Sequence, residues 1–460
     1  MHEPIKTEVL IIGAGLTGLT TAFYLKKAGI PFRIVEKAGH VGGVIRTFRE
    51  QGFVYEAGPN TGVVGNPEVA ELFEELAGRC TLEIANPDAK RRLIWKGGRW
   101  HALPSGPISA VFTPLFTLKD KFRILGEPFR KKGTNPNEHL SEMVKRRLGR
   151  SFLDYAVDPF VSGVYAGDPR YLVPRYALPK LYQLEQDYGS FVRGAIQKAK
   201  QPRDERTKKA TREVFSAEGG LGSLINALAD SVGRENIVLN CSEITITPDN
   251  GQYTLKASMG GEPLAVTAPC VASTVGGYVF PGLYPFLTET EVAPFRDMKY
   301  APVVQVILGF KHWRGMNLNA FGGLVPTKEN KNFLGALFTS SFFKQRAPED
   351  GALISVFMGG IKRPEIYGMS DEDLLATLEK EFVWMMGLKR GFSPDMVQIY
   401  RYKRAIPQYG EDTGIRLEMI EALQEKYPGL ILAGNIRDGI GMADRIKQGR
   451  MIATQLAGVG

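Results

Sequence analysis

Residues 8–36 confine this chain more tightly than any other stretch. Glu8–Ile12 (EVLII) is a short apolar run of the kind buried on both faces of a parallel sheet. Gly13-Ala14-Gly15-Leu16-Thr17-Gly18 follows at once, then a helical stretch, Leu19–Ala28, that closes at Gly29. Pro31–Glu36 (PFRIVE) reads as the second parallel strand and ends in an acid. Parallel neighbours need a crossover between them, so the unit is strand–helix–strand over about 30 residues, and the chain must contain an α/β layer.

A lone glycine pattern of this kind is weak, but here its context is complete: a strand before, a helix after, and Glu36 lying 23 residues beyond Gly13. Gly13 permits the tight turn, Gly15 lets the backbone approach a pyrophosphate, and Gly18 lets the helix pack on the strand. Phosphates would then sit over the first turn, at Leu16 and Thr17, where free N–H groups and the helix dipole favour anions. Glu36, followed by Lys37, can accept hydrogen bonds from ribose hydroxyls and would repel a 2′-phosphate.

Three further glycine-bearing segments extend the site. Gly42-Gly43-Val44-Ile45-Arg46 places a cation just behind a glycine pair, and Gly58-Pro59-Asn60 makes a tight turn after a short strand. At the far end of the chain, Gly434 and then Gly439-Ile440-Gly441-Met442 repeat the arrangement of backbone amides aimed at an anion or ring. NAD needs only the first cluster. Clusters from both chain ends point to one long cofactor, FAD.

At 460 residues the chain has room for two to four domains and a large core. An amphipathic helix is expected over 65–78 and a hairpin over Arg91–Trp100, turning at Gly97-Gly98. The pattern is helical from 101 to 200. Residues 212–274 return to short strands around a helix at Leu221–Val232, and 300–360 are strand-rich. Helices follow at Glu372–Met386 and at the terminus, after an apolar strand, Leu430–Ala433. Strands suited to the first unit thus appear at the start, middle and end, so one domain is expected to be assembled from separated segments. Glycine makes up 52 residues, about 11% against about 7% on average, in keeping with many tight turns.

Cys80, Cys241 and Cys270 are widely spaced, and no HxH or HExxH occurs, so a disulfide scaffold, a zinc finger and a His-built metal site are set aside. The net charge is +9. No nucleic-acid motif accompanies it, which leaves anionic lipid or an anionic small molecule. The densest basic run, Lys198–Arg212, reads as a solvated loop or as a contact for lipid headgroups. The N-terminus lacks the pattern of a signal peptide, and no stretch reads as a spanning helix, because prolines interrupt the two uncharged ones. In the region Pro104–Leu125, Val111, Phe112, Leu115, Phe116 and Leu118 stand beside Lys119, Lys121 and Arg123. That pattern suits either a surface dipping into one leaflet or an internal helix.

Taken together these residues resemble the flavin amine oxidase superfamily and, within it, the protoporphyrinogen oxidases. The superfamily pieces are VLIIGAGLTGLTTAFYLKKAG, GGVIRT and LAGNIRDGIGMADRI; the narrower family is marked by EPFRKK, FVSGVYAGDP, FSAEGGLGSLINALA and AFGGLVP. The resemblance implies a discontinuous Rossmann-like FAD domain (1–75, 210–280, 425–460), a mixed-sheet substrate domain (76–100, 281–424) and an inserted helical membrane-binding domain (101–209). It implies non-covalent FAD held by Gly13, Gly15, Leu16, Thr17, Gly18, Glu36, Lys37, Gly42, Gly43, Arg46, Gly58, Pro59, Asn60, Val238, Gly434, Gly439, Ile440, Gly441 and Met442. Val238 would act through its backbone on the adenine side.

By the same resemblance Arg92 would bind a substrate propionate, Phe321, Gly322, Leu324 and Phe357 would line the macrocycle, and Gly167 would border the cavity, with Met358 the alternative to Phe357. The residues by themselves read as ordinary packing and a surface arginine. The implied reaction oxidises a porphyrinogen to a porphyrin in heme biosynthesis. It proceeds in three two-electron rounds, with dioxygen reoxidising the flavin to give hydrogen peroxide. The implied location is cytoplasmic, peripheral on the inner face of the membrane, with a homodimer and hand-over to a ferrochelatase left open. The cysteine that links flavin in monoamine oxidases is absent; the segment here reads AGN. Protoporphyrinogen and coproporphyrinogen both remain open as substrates, as do an amine oxidase, a carotenoid desaturase and a binding protein that keeps FAD for structure.

Overall fold

The first strand–helix–strand forms from Val9–Ile12, Leu16–Lys27 and Phe32–Val35. The structure is a computed structural model describing residues 3–389 and 391–458. Residues 1, 2, 459 and 460, at the outer ends of the expected FAD segments, and Arg390, in the expected substrate segment, lie outside the described residues. The two strands are the centre of a five-stranded, wholly parallel sheet in the order Ile237–Val238, Phe32–Val35, Val9–Ile12, Cys270–Ser273, Leu430–Leu432. The chain therefore returns to this sheet from its middle and its end.

Alternation explains why the first strand is apolar throughout. Val9 and Ile11 face a core shared with helices Leu16–Lys27, Leu221–Val232 and Met442–Leu456. Leu10 and Ile12 face a second core, under the strands Cys241–Asp249, Gln252–Met259 and Glu262–Ala268 and the helices Glu289–Arg296 and Thr413–Lys426. Each fully buried aliphatic side chain contributes roughly 1.5–3 kcal/mol, so a polar residue on either face would be costly.

The second sheet has seven strands in the order Met396–Pro407, Tyr300–Phe310, Ala352–Gly359, Phe333–Leu337, Gly322–Leu324, Arg92–Lys96, Arg99–Ala102. It is mixed: Gly322–Leu324 runs parallel to Arg92–Lys96 and all other neighbours are antiparallel. One face, with Val304, Val306, Ile354, Val356 and Met358, is sealed by helix Asp371–Met385 through Leu374, Leu378 and Phe382.

Residues 107–208 are helical, with a small core of their own around Leu140, Val144, Val161, Tyr165 and Leu172. Arg147, fully buried, pairs with Glu127 at 3.1 Å and Glu185 at 2.8 Å. Glu127 also accepts from the Phe191 and Val192 N–H groups. The acid of the EPFRKK segment is thus a structural tie, and stripping either partner would leave a buried charge alone.

Two expectations change here. Leu115 and Phe116 do not face lipid: they are 0% and 7% exposed and pack with Ile94 and Tyr155, while Phe112 is 81% exposed. Pro114 between them turns the chain inward. The basic run at Lys198–Arg212 is neither a free loop nor a lipid contact throughout. Arg206 binds Glu68 and Glu71, and Lys209 binds Glu74, so part of it is docked on the acidic helix Pro67–Glu75.

Candidate active site

The first glycine turn is a backbone cradle. Helix Leu16–Lys27 starts at Gly15 with no side-chain cap and no acid in its first turn, so its leading N–H groups keep their capacity for an anion. A methyl group added at Gly15 would meet nothing within 4 Å, whereas at Gly18 it would lie 2.0 Å from the Gly13 carbonyl oxygen. Gly15 therefore opens the surface and Gly18 seats the helix. Gly13 itself sits at φ +98°, where side chains are disfavoured.

Glu36 closes the cradle: one carboxylate oxygen accepts from Ala14 N–H and the other from Ala38 N–H, both at 2.8 Å. Lys37 is exposed beside it. The Val238 carbonyl is taken by the Glu36 N–H at 2.8 Å, which places the strand Ile237–Val238 alongside. Gly42 binds the Ala14 carbonyl through its N–H at 2.8 Å, and Gly43 is exposed with its α-carbon side toward Gly15. Arg46 is exposed, its guanidinium 4.7 Å from the centre of the Phe48 ring.

The C-terminal turn is held from below. The Gly434 N–H donates to Gln448 at 2.9 Å. Arg445, buried, donates to the carbonyls of Arg437, Asp438 and Gly439, and the Tyr409 hydroxyl donates to those of Asn435 and Gly439. Burial pushes the Arg445 guanidinium below its usual range. Gly441 caps the terminal helix, its N–H on Asp444 at 3.0 Å, with Met442 buried as its first residue and Ile440 packed toward the helical region. Gly449 lets that helix lie against Leu16–Lys27, since a methyl group there would be 2.8 Å from the Thr17 carbonyl oxygen.

Gly58, Pro59 and Asn60 form the seam between the two sheets. The Gly58 N–H donates to Gln305 at 2.9 Å, and the Gln305 amide donates to the Glu56 carbonyl at 2.9 Å. Asn60 donates to the Gly58 carbonyl and accepts from the Ser355 hydroxyl at 2.8 Å. Glu56 accepts from Thr47 at 2.6 Å and from the Leu221 N–H at 2.8 Å; burial nonetheless pushes its carboxyl up to about 7. Sequence reasoning missed Gln305, Ser355 and Glu56. A signal existed for two of them: Gln305 is the lone polar residue in the apolar run VVQVILGF, and Glu56 interrupts FVYEAG.

Register decides what the open face of the seven-stranded sheet carries. Gln305 pairs with Phe357, Phe357 with Gly335, Gly335 with Leu324, and Leu324 with Ile94, so these share one row. The next row runs Ser355, Leu337, Gly322, Arg92. The Arg92 guanidinium lies 5.5 Å from the centre of the Phe321 ring. Met358 points the other way, fully buried under helix Asp371–Met385, so of the two neighbours Phe357 is the one on the open face. Helix Asp158–Tyr165 borders the row: a methyl group at Gly163 would meet Leu324 at 2.4 Å. Gly167 lies just beyond that helix against the side-chain oxygen of Gln408, which is buried and without a hydrogen bond.

The structure thus brings Arg92, Phe321, Gly322, Leu324 and Phe357 to one face, and Gln305 links that face to Gly58. The glycine clusters at both chain ends are joined to it through the packed helices and the seam. An arginine beside aromatic rings can grip a carboxylate on an otherwise apolar ligand.

Residues 16–457 match the family model described as flavin containing amine oxidoreductase. The chain is 30% identical to protoporphyrinogen oxidase 2, chloroplastic/mitochondrial, of Arabidopsis thaliana, over 96% of this chain and 92% of that one. It is 25% identical to coproporphyrinogen III oxidase of Bacillus subtilis, over 97% of each. A crystal structure of a provisionally named protoporphyrinogen oxidase from Exiguobacterium sp. 255-15 superposes with a TM-score of 0.81 at 23% identity, over 99% of each chain.

Proposed function

The chain belongs to the flavin containing amine oxidoreductase family and, within it, to the protoporphyrinogen oxidases; from that premise we propose that it oxidises protoporphyrinogen IX to protoporphyrin IX with non-covalently bound FAD. The observation that carries this reading is the single face holding Arg92, Phe321, Leu324 and Phe357, tied through Gln305 to Gly58.

Each part of the chain then has a task. The uncapped N–H groups after Gly15 bind the pyrophosphate, and Glu36 exchanges part of its backbone bonding for ribose hydroxyls. Gly58 and Gly441 border the ring system. FAD, when bound, supplies the two-electron acceptor. Leu324 and Phe357 offer an apolar slot for the macrocycle and exclude water from it. Arg92 holds a propionate in its fork and so fixes which ring edge faces the flavin. Gly167 borders the slot from the helical side. No cysteine occurs between Leu430 and Gly460 to form a thioether. Dioxygen is the acceptor that returns the flavin to its oxidised state, giving hydrogen peroxide.

We assign the FAD unit to 1–75, 210–280 and 425–460, the substrate unit to 76–100 and 281–424, and the helical unit to 101–209. Among the described residues no helix is long and apolar enough to cross a membrane. Attachment in this reading is peripheral, on the inner face of the cytoplasmic membrane. It runs through the exposed Val111, Phe112 and Leu118 and their neighbours.

Anaerobic mixing tests the function. Protoporphyrinogen should bleach the flavin band, with porphyrin fluorescence rising in step. Bleaching by coproporphyrinogen alone would move the substrate to the Bacillus relative's printed activity, and bleaching by an amine alone would overturn the reading.

A further inference from the structure

Beyond Lys96, at the edge of the open sheet face, the surface opens into a cleft of about 620 Å³. Six cationic side chains line it, Lys96, Lys119, Arg123, Lys145, Arg150 and Lys328, against the carboxylates of Asp120 and Asp154 alone. Both acids are engaged. Asp120 accepts from the Ser151 N–H and hydroxyl at 2.7 Å each, and Asp154 from Arg150 at 2.9 Å and Lys328 at 3.1 Å. Lys96 is held by the Pro114 and Leu115 carbonyls.

Three cations are left over. Among the described residues, Lys119, Arg123 and Lys145 have no carboxylate in ion-pair contact, and the Arg123 Nε is buried with no hydrogen-bond partner. Burial, with Lys328 and Lys121 nearby, holds the Lys96 ammonium below its usual range against the opposing charge of Glu329.

The rim of this cleft is oily. On helix Leu118–Leu125, the side chains of Leu118, Phe122 and Leu125 stand outward at one-turn spacing, 70–72% exposed, while Lys119 and Arg123 line the cleft. Ile108 and Phe112 on the preceding helix and Phe129 just after it are exposed as well. A soluble anion needs the cations but not the rim. A bilayer needs both, since an interfacial helix buries its apolar face below the level at which its cations meet headgroups.

We propose that this cleft seats the phosphate of an anionic phospholipid while the outward faces of helices Pro107–Phe112 and Leu118–Leu125 enter the acyl region of the same leaflet. The proposal rests on the peripheral attachment proposed above and adds a headgroup class and a site to it.

The test is co-sedimentation of the flavin-loaded full chain with phosphatidylcholine vesicles, with and without phosphatidylglycerol. The wild type should favour the anionic vesicles, and salt should weaken that preference. Lys119→Gln with Lys145→Gln, both exposed, should cost on the order of fivefold per cation on anionic vesicles and leave neutral vesicles unaffected. Leu118→Ser with Phe122→Ser should lower binding to both. Equal wild-type binding to the two vesicle types, with the lysine variant indifferent, would overturn the headgroup site while leaving peripheral attachment standing. No vesicle binding by the wild type would overturn both. Inorganic phosphate that raises the melting temperature of the wild type but not of the lysine variant, without any anionic-vesicle preference, would make the cleft a free-phosphate site and overturn the lipid.

Discussion

In the cradle from Gly13 to Glu36 the backbone makes almost every contact that matters; on the sheet face from Arg92 to Gln305, side chains from five strands make them. The cradle spans 24 consecutive residues, and its shape follows from where a Cβ is forbidden or would occupy ligand space. The face has no such local rule. Its composition follows from which strand lies beside which, and in what register. Backbone sites tolerate little substitution at glycine and much elsewhere, while side-chain sites should tolerate backbone-neutral changes and respond to each truncated group.

The strongest way to break this contrast is at Gly18. Gly18→Ala puts a methyl group against the Gly13 carbonyl, which cannot move without the turn. We expect a loss of about 3 kcal/mol in urea unfolding and flavin-free protein. Gly15→Ala is the matched control: with open space at that position the apo-protein should unfold like wild type, yet flavin affinity should fall because the methyl group would enter the space proposed for the phosphates. If Gly18→Ala retains flavin and stability, the cradle is not defined by its backbone.

The seam between the two regions is probed through Glu56. Its folded pKa of about 7 lies above the ordinary 4.5, so the folded chain holds the proton more tightly than the unfolded one. The stabilisation is complete below pH 4.5 and is lost as pH rises through about 7, on the order of 3 kcal/mol in all. Glu56→Gln should abolish that slope, read as the difference in unfolding free energy from wild type across the range. A pH-independent difference would mean that Glu56 stays ionised.

In the proposed reading Glu36→Ala removes one charge-assisted contact to ribose, worth roughly 1.5–3 kcal/mol, so FAD affinity should fall about ten- to a hundredfold. The Ala14 and Ala38 N–H groups also lose their acceptor, and a modest drop in apo stability should accompany it. Full flavin occupancy after dialysis would displace the ribose from Glu36.

On the sheet face, Arg92→Ala should raise KM by about ten- to a hundredfold with flavin content unchanged, and Arg92→Lys should recover part of it because an ammonium lacks the fork. A fall in kcat at constant KM would instead assign Arg92 to the transition state. Wild-type kinetics would mean that another cation holds the propionate.

The expectations that held were local ones. The helix Leu221–Val232, the hairpin at Gly97-Gly98, the first strand–helix–strand and the terminal strand and helix all lie within short windows of periodic residues. Those that changed depended on distant partners. Leu115 and Phe116 share the apolar character of Phe112, yet the turn after Thr113 sends them under Tyr155. Arg206 and Lys209 lie in a basic run like any solvated one until helix Pro67–Glu75 brings its acids against them.

From sequence alone came the glycine turn between the first strand and helix, the return of the chain's end to its first sheet, and the family. Glycine turns and strand-to-helix junctions are written in consecutive residues, and forbidden Cβ positions admit one residue type. Tertiary structure alone decided that Phe357 rather than Met358 meets the open face, and that Gln305 and Ser355 fasten Gly58 and Asn60 to the second sheet. It alone set Lys119, Arg123 and Lys145, which have no carboxylate in ion-pair contact among the described residues, beside an apolar helix face. A strand's side chains alternate between faces, and which face is open depends on where helix Asp371–Met385 lands, more than a dozen residues further along the chain.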